Sequence, residues 1–259
     1  MRIIDTHSHL YLPEFEEDLD DVVRRARAEG VVHALLPDID NGTTNILKRT
    51  IIEFPGFFSG MTGIHPTSVN EDWREQLEHF ESEIVSGFPW VAIGEIGIDL
   101  YWDATFAKAQ KTVFEAQLNK AVELNLPVSV HQRNSMKEVL DVLQLFKGKV
   151  TGVLHCFSGN NHDADLAIEL GLKLGIGGVL TFKNSNLPEI VKHVGVKHLV
   201  LETDAPYLAP MPLRGKRNEP AYLKYVLTYL AQLLNLPTEE AANHLFINST
   251  EIFSKISIS

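Results

Sequence analysis

The segment Ile3-Ile4-Asp5-Thr6-His7-Ser8-His9 decides the fold class, because it is a short apolar strand that runs directly into a His-x-His pair. Side chains alternate between the two faces of a strand, so residues two positions apart point the same way. His7 and His9 can therefore present two imidazoles to one point, as a metal ion requires. Apolar runs further along the chain also end in His, Glu or Asp.

The rest of the chain alternates short apolar runs with longer amphipathic stretches, which is typical of parallel β-α-β units. Strands are predicted over residues 2–5, 33–37, 57–63, 90–94, 127–130, 151–154, 172–175 and 198–201. Helices are predicted over 14–29, 43–53, 71–85, 105–124, 135–145, 161–170, 187–193 and 220–234. Such units predict an α/β fold, a TIM-type (β/α)₈ barrel that forms a single domain over residues 1–259.

Two further points concern this architecture. Residues 238–254 form an extra C-terminal helix that we expect to cap or buttress the barrel. A doubly wound open sheet is the competing architecture. It places a ligand at one switch point between strands, and so it does not account for candidate ligands that follow many strands.

Composition excludes several functional classes. The chain has 259 residues, 44% hydrophobic and 22% charged, which is an ordinary globular balance. No run approaches the roughly 18 apolar residues of a membrane span. A single cysteine excludes an internal disulfide framework and favours a reducing, cytoplasmic location. A net charge of −11 argues against broad electrostatic binding of nucleic acid, but not against an end held locally by metal ions and a few cations.

Six side chains at predicted strand ends form a candidate metal site. They are His7 and His9 after the first strand, Glu95 after the fourth, His131 and His155 at the ends of the fifth and sixth, and Asp204 at the end of the eighth. In a barrel these ends meet at one rim. Imidazoles and carboxylates without thiolate suit Mg²⁺, Mn²⁺ or Zn²⁺. Taken singly, each residue has an ordinary structural explanation, and helix capping fits Asp99 better than Glu95.

Other candidates lie on the same rim. Glu202 stands two residues before Asp204 and is a candidate supporting or catalytic carboxylate, and His65 follows the third strand. Groups suited to substrate phosphate follow the fifth, seventh and eighth strands: Arg133, Lys183, Tyr207 and Arg214. Barrels often bind phosphate with the loops after strands seven and eight. Together with the glycine-rich segment 175–178, these groups favour a phosphoester substrate.

At this point the motifs form a known pattern. DTHSHL at 5–10, GIHP at 63–66, GEIGID at 94–99, HCFSG at 155–159 and LETDAPYLAP at 201–210 span almost the whole chain. In these motifs the sequence resembles the TatD family of metal-dependent deoxyribonucleases, within the amidohydrolase-like superfamily. The resemblance implies a TIM-type barrel and a DNase, often one that trims DNA from the 3′ end. It also implies metal ligands at His7, His9, Glu95, His131, His155 and Asp204, with Glu95 bridging two ions.

The expected activity is hydrolysis of a phosphodiester at short or single-stranded DNA ends, with two, at most three, divalent ions as cofactors. Asp204 is the expected proton acceptor, Glu95 the bridge between the ions, and His65 or Glu202 a helper of the departing oxygen. We expect neither a membrane nor an obligate protein partner.

Two alternatives remain open. The first is a lactonase, amidase or phosphotriesterase on the same barrel. Such relatives commonly bridge their metals with a carboxylated lysine on the fourth strand, where this chain has Glu95 beside Ile93 and Ile96. The second is a binding protein that has lost catalysis, which six intact candidate ligands disfavour.

Overall fold

Eight parallel strands form one sheet in which each strand pairs with the next in chain order. The structure is a computed structural model that describes residues 1–258. The strands are β1 (Ile3–Asp5), β2 (Val31–Pro37), β3 (Phe58–Thr62), β4 (Ala92–Asp99), β5 (Val128–Arg133), β6 (Gly152–Leu154), β7 (Leu172–Ile176) and β8 (Leu199–Leu201).

Helices follow the strands and pack on their outer faces. They are α1 (Leu19–Ala28), α2 (Thr44–Glu53), α3 (Trp73–Val85), α4 (Ala107–Leu124), α5 (Met136–Gln144), α6 (Asn161–Glu169), α7 (Leu187–Val194), α8 (Leu223–Leu233) and α9 (Thr238–Ile252). In α4, Val113, Phe114, Leu118 and Ala121 are buried at helical spacing, so one face of the helix covers the sheet. The predicted TIM-type barrel with an extra C-terminal helix is confirmed. Within residues 1–258 no helix is both long and apolar enough to cross a membrane.

The barrel closes where β1 and β8 end. The Thr6 N–H donates to the Leu201 carbonyl at 2.9 Å. The buried Asp5 carboxylate accepts the Thr203 N–H at 2.9 Å and the Thr203 hydroxyl at 2.6 Å. We call these contacts the β1–β8 seam. Asp5 stands two residues before His7, and Thr203 immediately precedes Asp204, so the seam also fixes where two candidate ligands leave the barrel.

The C-terminal helix closes one end of the barrel. A second apolar cluster, separate from the main core, gathers residues from the strands and from the end of the chain: Leu35, Met61, Val91, Ala92, Val153, Val200, Ile252 and Phe253. Phe253 follows α9 and is fully buried. Because α9 also packs on β1 and β8, it plugs the N-terminal end of the barrel, and the C-terminal rim is the open end.

Several boundaries differ from the prediction, and three of these differences bear on the site or on its surroundings. β4 continues past Gly94 to Asp99, and β5 continues to Arg133, so that Glu95 lies inside a strand rather than beyond it. The prediction stopped at Gly94 because glycine commonly ends a strand. Here Gly97 lets β4 approach β5 closely, since a Cβ at this position would stand 2.0 Å from the His131 carbonyl oxygen. The helix predicted from residue 14 begins at Leu19, because Pro13 starts a separate 3₁₀ turn.

Replacing Asp5 with Ala tests the seam. The Asp5→Ala change leaves a buried N–H and a buried hydroxyl of Thr203 without their acceptor, so we expect the free energy of unfolding to fall by about 2–4 kcal/mol. Urea unfolding followed by circular dichroism measures this loss. The control Thr112→Ala, on the exposed face of α4, should change stability by no more than about 0.5 kcal/mol. A loss for Asp5→Ala no larger than that of the control would show that the seam is not needed for stability.

Candidate metal centre

The Glu95 carboxylate lies at the centre of a histidine cluster at the open rim. Its Oε2 is 3.1 Å from His7 Nε2 and 3.5 Å from His9 Nε2. Its Oε1 is 2.8 Å from His131 Nδ1 and 3.9 Å from His155 Nε2. One buried carboxylate therefore faces imidazoles that come from the ends of two strands, β1 and β6, and from the interior of β5.

Asp204 completes the cluster from the end of β8. Its Oδ1 lies 3.6 Å from His9 Nε2 and 3.7 Å from His155 Nε2. His7, His9 and Glu95 form one group of candidate ligands, and His7, His155 and Asp204 form another, each with ligand atoms within 4.8 Å of one another. The structure thus brings all six predicted ligands to one place.

The spacing of these atoms fits a divalent cation. Bonds of about 2.0–2.2 Å from one ion hold neighbouring ligand atoms about 3–3.6 Å apart. The separations around His9, Glu95 and Asp204, from 3.5 to 3.6 Å, match this range and exceed an ordinary hydrogen bond. A cation between these atoms accounts for the spacing better than direct pairing does.

The proton on His9 is fixed by its neighbours so that a lone pair faces the cluster. The Tyr11 hydroxyl donates to the Pro37 carbonyl at 2.7 Å, so its oxygen accepts from His9 Nδ1, which lies 3.1 Å away. His9 Nε2 is then unprotonated and lies 3.3 Å from His7 Nε2. A cation between these two ring nitrogens would satisfy this geometry. Hydrogen bonds of this kind orient metal-binding histidines in other proteins.

Asp99 orients His131 in the same way. Its Oδ2 lies 2.9 Å from His131 Nε2, which directs Nδ1 of the ring at Glu95. Burial would raise the pKa of Asp99, but hydrogen bonds from His131 and the Tyr101 N–H outweigh it and lower the pKa. Asp99 is therefore an ionised partner of a candidate ligand and not the helix cap that the sequence suggested, since α4 begins eight residues later, at Ala107.

Glu202 lies behind His155, away from the open rim. Its Oε2 is 3.1 Å from His155 Nδ1, without the alignment of a hydrogen bond, and its Oε1 accepts the Cys156 N–H at 2.6 Å. Burial would lower the pKa of His155, but the carboxylates of Glu202, Glu95 and Asp204 raise it to about 10. A metal ion at this position must therefore displace a proton from His155. The geometry favours a positioning role for Glu202 over direct contact with substrate.

The charges of the central residues suit a cation. Burial would raise the pKa of Glu95, but the imidazoles of His7 and His65 and the hydrogen bond from His131 hold it well below its usual range. Burial lowers the pKa of His7 well below its usual range, and the neighbouring His155 lowers it further. Glu95 and His7 therefore combine an ionised carboxylate with a neutral imidazole, the protonation state that ligands need, whereas His155 must first lose a proton.

His65 enters the cluster as a hydrogen-bond donor. Its Nδ1 accepts the Thr67 N–H at 3.1 Å, so the ring proton is on Nε2, which lies 3.5 Å from Glu95 Oε1. Burial lowers the pKa of His65, which keeps the ring neutral. A neutral ring with its Nε2 protonated does not bind a metal through that atom, but it can donate to an oxygen of the substrate.

The four predicted substrate contacts are at the rim but differ in their surroundings. Arg133 lies over the Tyr101 ring, and Arg214 lies over the Phe182 ring. The Tyr207 N–H donates to the Asp204 carbonyl at 2.8 Å. Lys183 is exposed and follows Phe182 in the loop after β7. Within residues 1–258 no ion pair joins Lys183 or Arg214 to the metal cluster.

Two features of these loops have structural contacts of their own: the glycine-rich segment 175–178, which suggested a phosphate site, and Arg217 after β8. A Cβ at Gly175 would stand 2.2 Å from Glu202 Oε2, and one at Gly178 would stand 1.9 Å from the Leu208 carbonyl oxygen. The glycines of this segment therefore make room for Glu202 and for the loop after β8. Arg217 is paired with Asp18, at 2.7 Å from each carboxylate oxygen.

Sequence reasoning missed three residues that orient the cluster. These are Tyr11, Asp99 in its contact with His131, and Ser129, whose Oγ lies 3.1 Å from His7 Nδ1. A signal existed for Tyr11, which lies two residues beyond His9. A signal also existed for Asp99, which lies four residues beyond Glu95 in what proves to be the same strand. Ser129 stands in the middle of an apolar strand and gave no signal of its own.

Comparisons with known proteins show that the chain is similar to metal-dependent hydrolases. A family model described as TatD related DNase matches residues 4–254. The chain is 36% identical over 253 residues to the uncharacterized metal-dependent hydrolase YabD of Bacillus subtilis, with 97% of this chain and 98% of the relative covered. It is 32% identical over 258 residues to the 3′-5′ ssDNA/RNA exonuclease TatD of Yersinia pseudotuberculosis, with 94% and 99% covered.

A solved structure extends the likeness to three dimensions. YjjV, a TatD homologue from Escherichia coli K12, matches with a TM-score of 0.88 at 30% sequence identity, and the match covers 98% of each chain. The similarity therefore includes the whole chain, the C-terminal helix as well as the barrel.

Replacing Glu95 with Gln tests the metal centre. Glu95→Gln keeps the size of the side chain but removes the charge that faces the histidines. We expect the affinity for divalent ions to fall by at least about 100-fold, since losing even a residue that only orients a ligand costs 10- to 100-fold. Calorimetric titration of chelator-treated protein measures this, and His193→Gln, which removes a surface histidine paired with Asp165, is the control. Equal affinities in Glu95→Gln and wild type would contradict the assignment.

Proposed function

Because this chain belongs to the TatD related DNase family, whose members resemble it along their whole length, we propose that it is a phosphodiesterase that removes nucleotides from the 3′ end of single-stranded DNA. The coarser activity, metal-dependent hydrolysis, follows from the family and from its relatives. The observation that carries the proposal is the ionised Glu95 carboxylate at the centre of a cluster of histidines, in which a lone pair of His9 Nε2 faces it. The activity named for the Yersinia relative supports the direction of cleavage and the choice of strand.

We assign the metal site to the cluster around Glu95. The proposed cofactors are two, at most three, divalent ions, which are Mg²⁺, Mn²⁺ or Zn²⁺. The proposed ligands are His7, His9, Glu95, His131, His155 and Asp204. When bound, such ions supply Lewis acidity toward a phosphoryl group and toward water. The whole chain acts as one domain in this proposal.

Asp204 is the proposed proton acceptor. Its side chain is 19% exposed, whereas those of Glu95 and Glu202 are 3% and 1% exposed, so it is the most accessible carboxylate of the cluster. Burial raises the pKa of Asp204, and a raised pKa makes a carboxylate a better proton acceptor. Hydrogen bonds from the Asp204 N–H to the His7 carbonyl and from the Tyr207 N–H to the Asp204 carbonyl hold its backbone in place.

The remaining residues of the rim bind and orient the strand. His65 presents its Nε2 proton to the cluster and is placed to donate to the oxygen that departs. Glu202 holds the His155 ring. Arg133 and Arg214 offer planar guanidinium groups to substrate phosphate, and Lys183 and Tyr207 extend this surface across the loops after β7 and β8.

Asp204→Asn separates catalysis from binding. The amide keeps the size of the side chain and an oxygen ligand but accepts no proton, so we expect kcat to fall by about 10²–10⁴-fold. KM for a single-stranded oligonucleotide should change much less. The control is Asp141→Asn, which alters an exposed carboxylate on α5 paired with Lys137. A near-normal kcat for Asp204→Asn would make Glu202 the better candidate base.

The decisive experiment for the proposed function compares a linear single strand with a closed circle of the same sequence, labelled uniformly. With Mg²⁺, Mn²⁺ or Zn²⁺ we expect stepwise shortening of the linear strand from its 3′ end, no cleavage of the circle, and no activity in excess chelator. Equal rates on both would refute an end-directed action. No cleavage of either, together with hydrolysis in a panel of lactones, amides and phosphotriesters, would assign the chain to the alternative class of ester or amide hydrolase.

A further inference from the structure

Two aromatic side chains are exposed at the rim, in the loop between β4 and α4. Trp102 is 68% exposed and Tyr101 is 52% exposed. Their rings meet edge to face with centroids 5.0 Å apart. Large aromatic side chains are usually mostly buried, and adjacent exposed ones commonly mark a binding surface.

Arg133 joins these two rings into one surface. Its guanidinium carbon lies 4.1 Å from the centroid of Tyr101 and 5.1 Å from that of Trp102. A guanidinium group that stacks on an aromatic face keeps its N–H groups available at the edge. We call Tyr101, Trp102 and Arg133 the aromatic platform.

The aromatic platform is held against the metal cluster by Asp99. Asp99 Oδ1 accepts the N–H groups of Tyr101 and Trp102 at 2.9 and 3.3 Å, and its Oδ2 lies 2.9 Å from His131 Nε2. The Leu100 N–H also donates to the Arg133 carbonyl at 2.9 Å. A single carboxylate thus sets both the direction of a proposed metal ligand and the backbone of the two exposed aromatics.

We propose that the aromatic platform stacks an unpaired nucleobase of the substrate strand, chiefly on the open face of Trp102. This inference rests on the proposed function and adds how the enzyme selects single strands. An unpaired base can present its flat face to an aromatic ring, whereas a base within a duplex is covered by its neighbours. Stacking needs no positive charge, which suits a chain with a net charge of −11.

The arrangement of strands supports the same proposal. β4 and β8 stand four strands apart in an eight-stranded barrel and so lie on opposite sides of its mouth. The half-exposed Tyr207 follows β8, across the metal cluster from the aromatic platform. A strand that spans the mouth from one aromatic site to the other passes over the cluster, where its phosphate is cleaved.

A cycle that combines a protein change with a substrate change tests the proposal. We would measure kcat/KM of wild type and Trp102→Ala on a single-stranded ten-nucleotide DNA and on versions with one abasic residue, placed in turn at each of the five positions nearest the 3′ end. Base stacking on aromatic side chains is worth about 5- to 150-fold in affinity. We expect Trp102→Ala to lower kcat/KM within this range, and removal of the base at one particular position to lower it by a similar factor. Combining the two changes should lower kcat/KM little further, because both remove the same contact. Trp102→Phe should restore part of the loss.

Ile247→Ala is the matched control, since Ile247 is 51% exposed on α9 at the opposite end of the barrel. It should leave kcat/KM unchanged on every strand. The proposal would be overturned if, at every one of the five positions, the loss of kcat/KM from Trp102→Ala and the loss from removing the base multiplied as independent effects. If wild type cleaves no DNA, the proposed function fails. The same variants and strands, made as phosphorothioates, are then compared by their binding affinity, measured by fluorescence anisotropy. An unchanged affinity in Trp102→Ala would also overturn the proposal that the aromatic platform stacks a base.

Discussion

The structure depends on one constraint, the burial of the Glu95 negative charge in the middle of the barrel mouth. A carboxylate removed from water costs several kcal/mol unless it is compensated nearby. Here the compensation comes from imidazoles on several strands, at 2.8 to 3.9 Å from the Glu95 oxygens. No local segment supplies this environment, because the histidines come from β1, β5 and β6 and from the loop after β3. The charge is tolerable only when the barrel is closed.

The contacts that close the barrel therefore also position the candidate ligands. The Asp5–Thr203 contact joins β1 to β8 and stands within two residues of His7 and within one of Asp204. The apolar plug around Phe253 closes the other end, which leaves the rim as the only polar end of the interior. Each candidate histidine ligand contacts a supporting side chain, such as Tyr11 for His9 or Glu202 for His155. Such partners hold rings in place before a metal binds and lower the cost of ordering them.

The sequence was sufficient for the architecture and for the six proposed ligands, because both follow from simple periodic rules. Strand-helix alternation predicts a parallel barrel, and a barrel brings residues at strand ends to one rim. The sequence was not sufficient for Asp99, which was read as a helix cap. That reading failed because β4 was expected to stop at Gly94, whereas the close approach that Gly97 permits carries the strand five residues further. The sequence also could not distinguish Glu202 from a catalytic carboxylate. The role of Glu202 depends on how far its side chain lies below the rim and not on its spacing along the chain.

The proposed substrate contacts lie in a different part of the molecule from the proposed metal ligands. The proposed ligands are on or beside strands, where the β1–β8 seam and buried partners fix their positions. The proposed substrate contacts lie mostly in the loops after β4, β7 and β8, where aromatic and basic side chains are exposed. Loops of this kind change more readily than the scaffold that supports them. Asp99 connects the two parts, because it contacts a proposed ligand and the backbone of the aromatic platform with one carboxylate. A change in the loop after β4 can therefore reach the proposed metal centre through Asp99, and also through the Leu100 N–H, which donates to the carbonyl of Arg133 in the strand that carries His131.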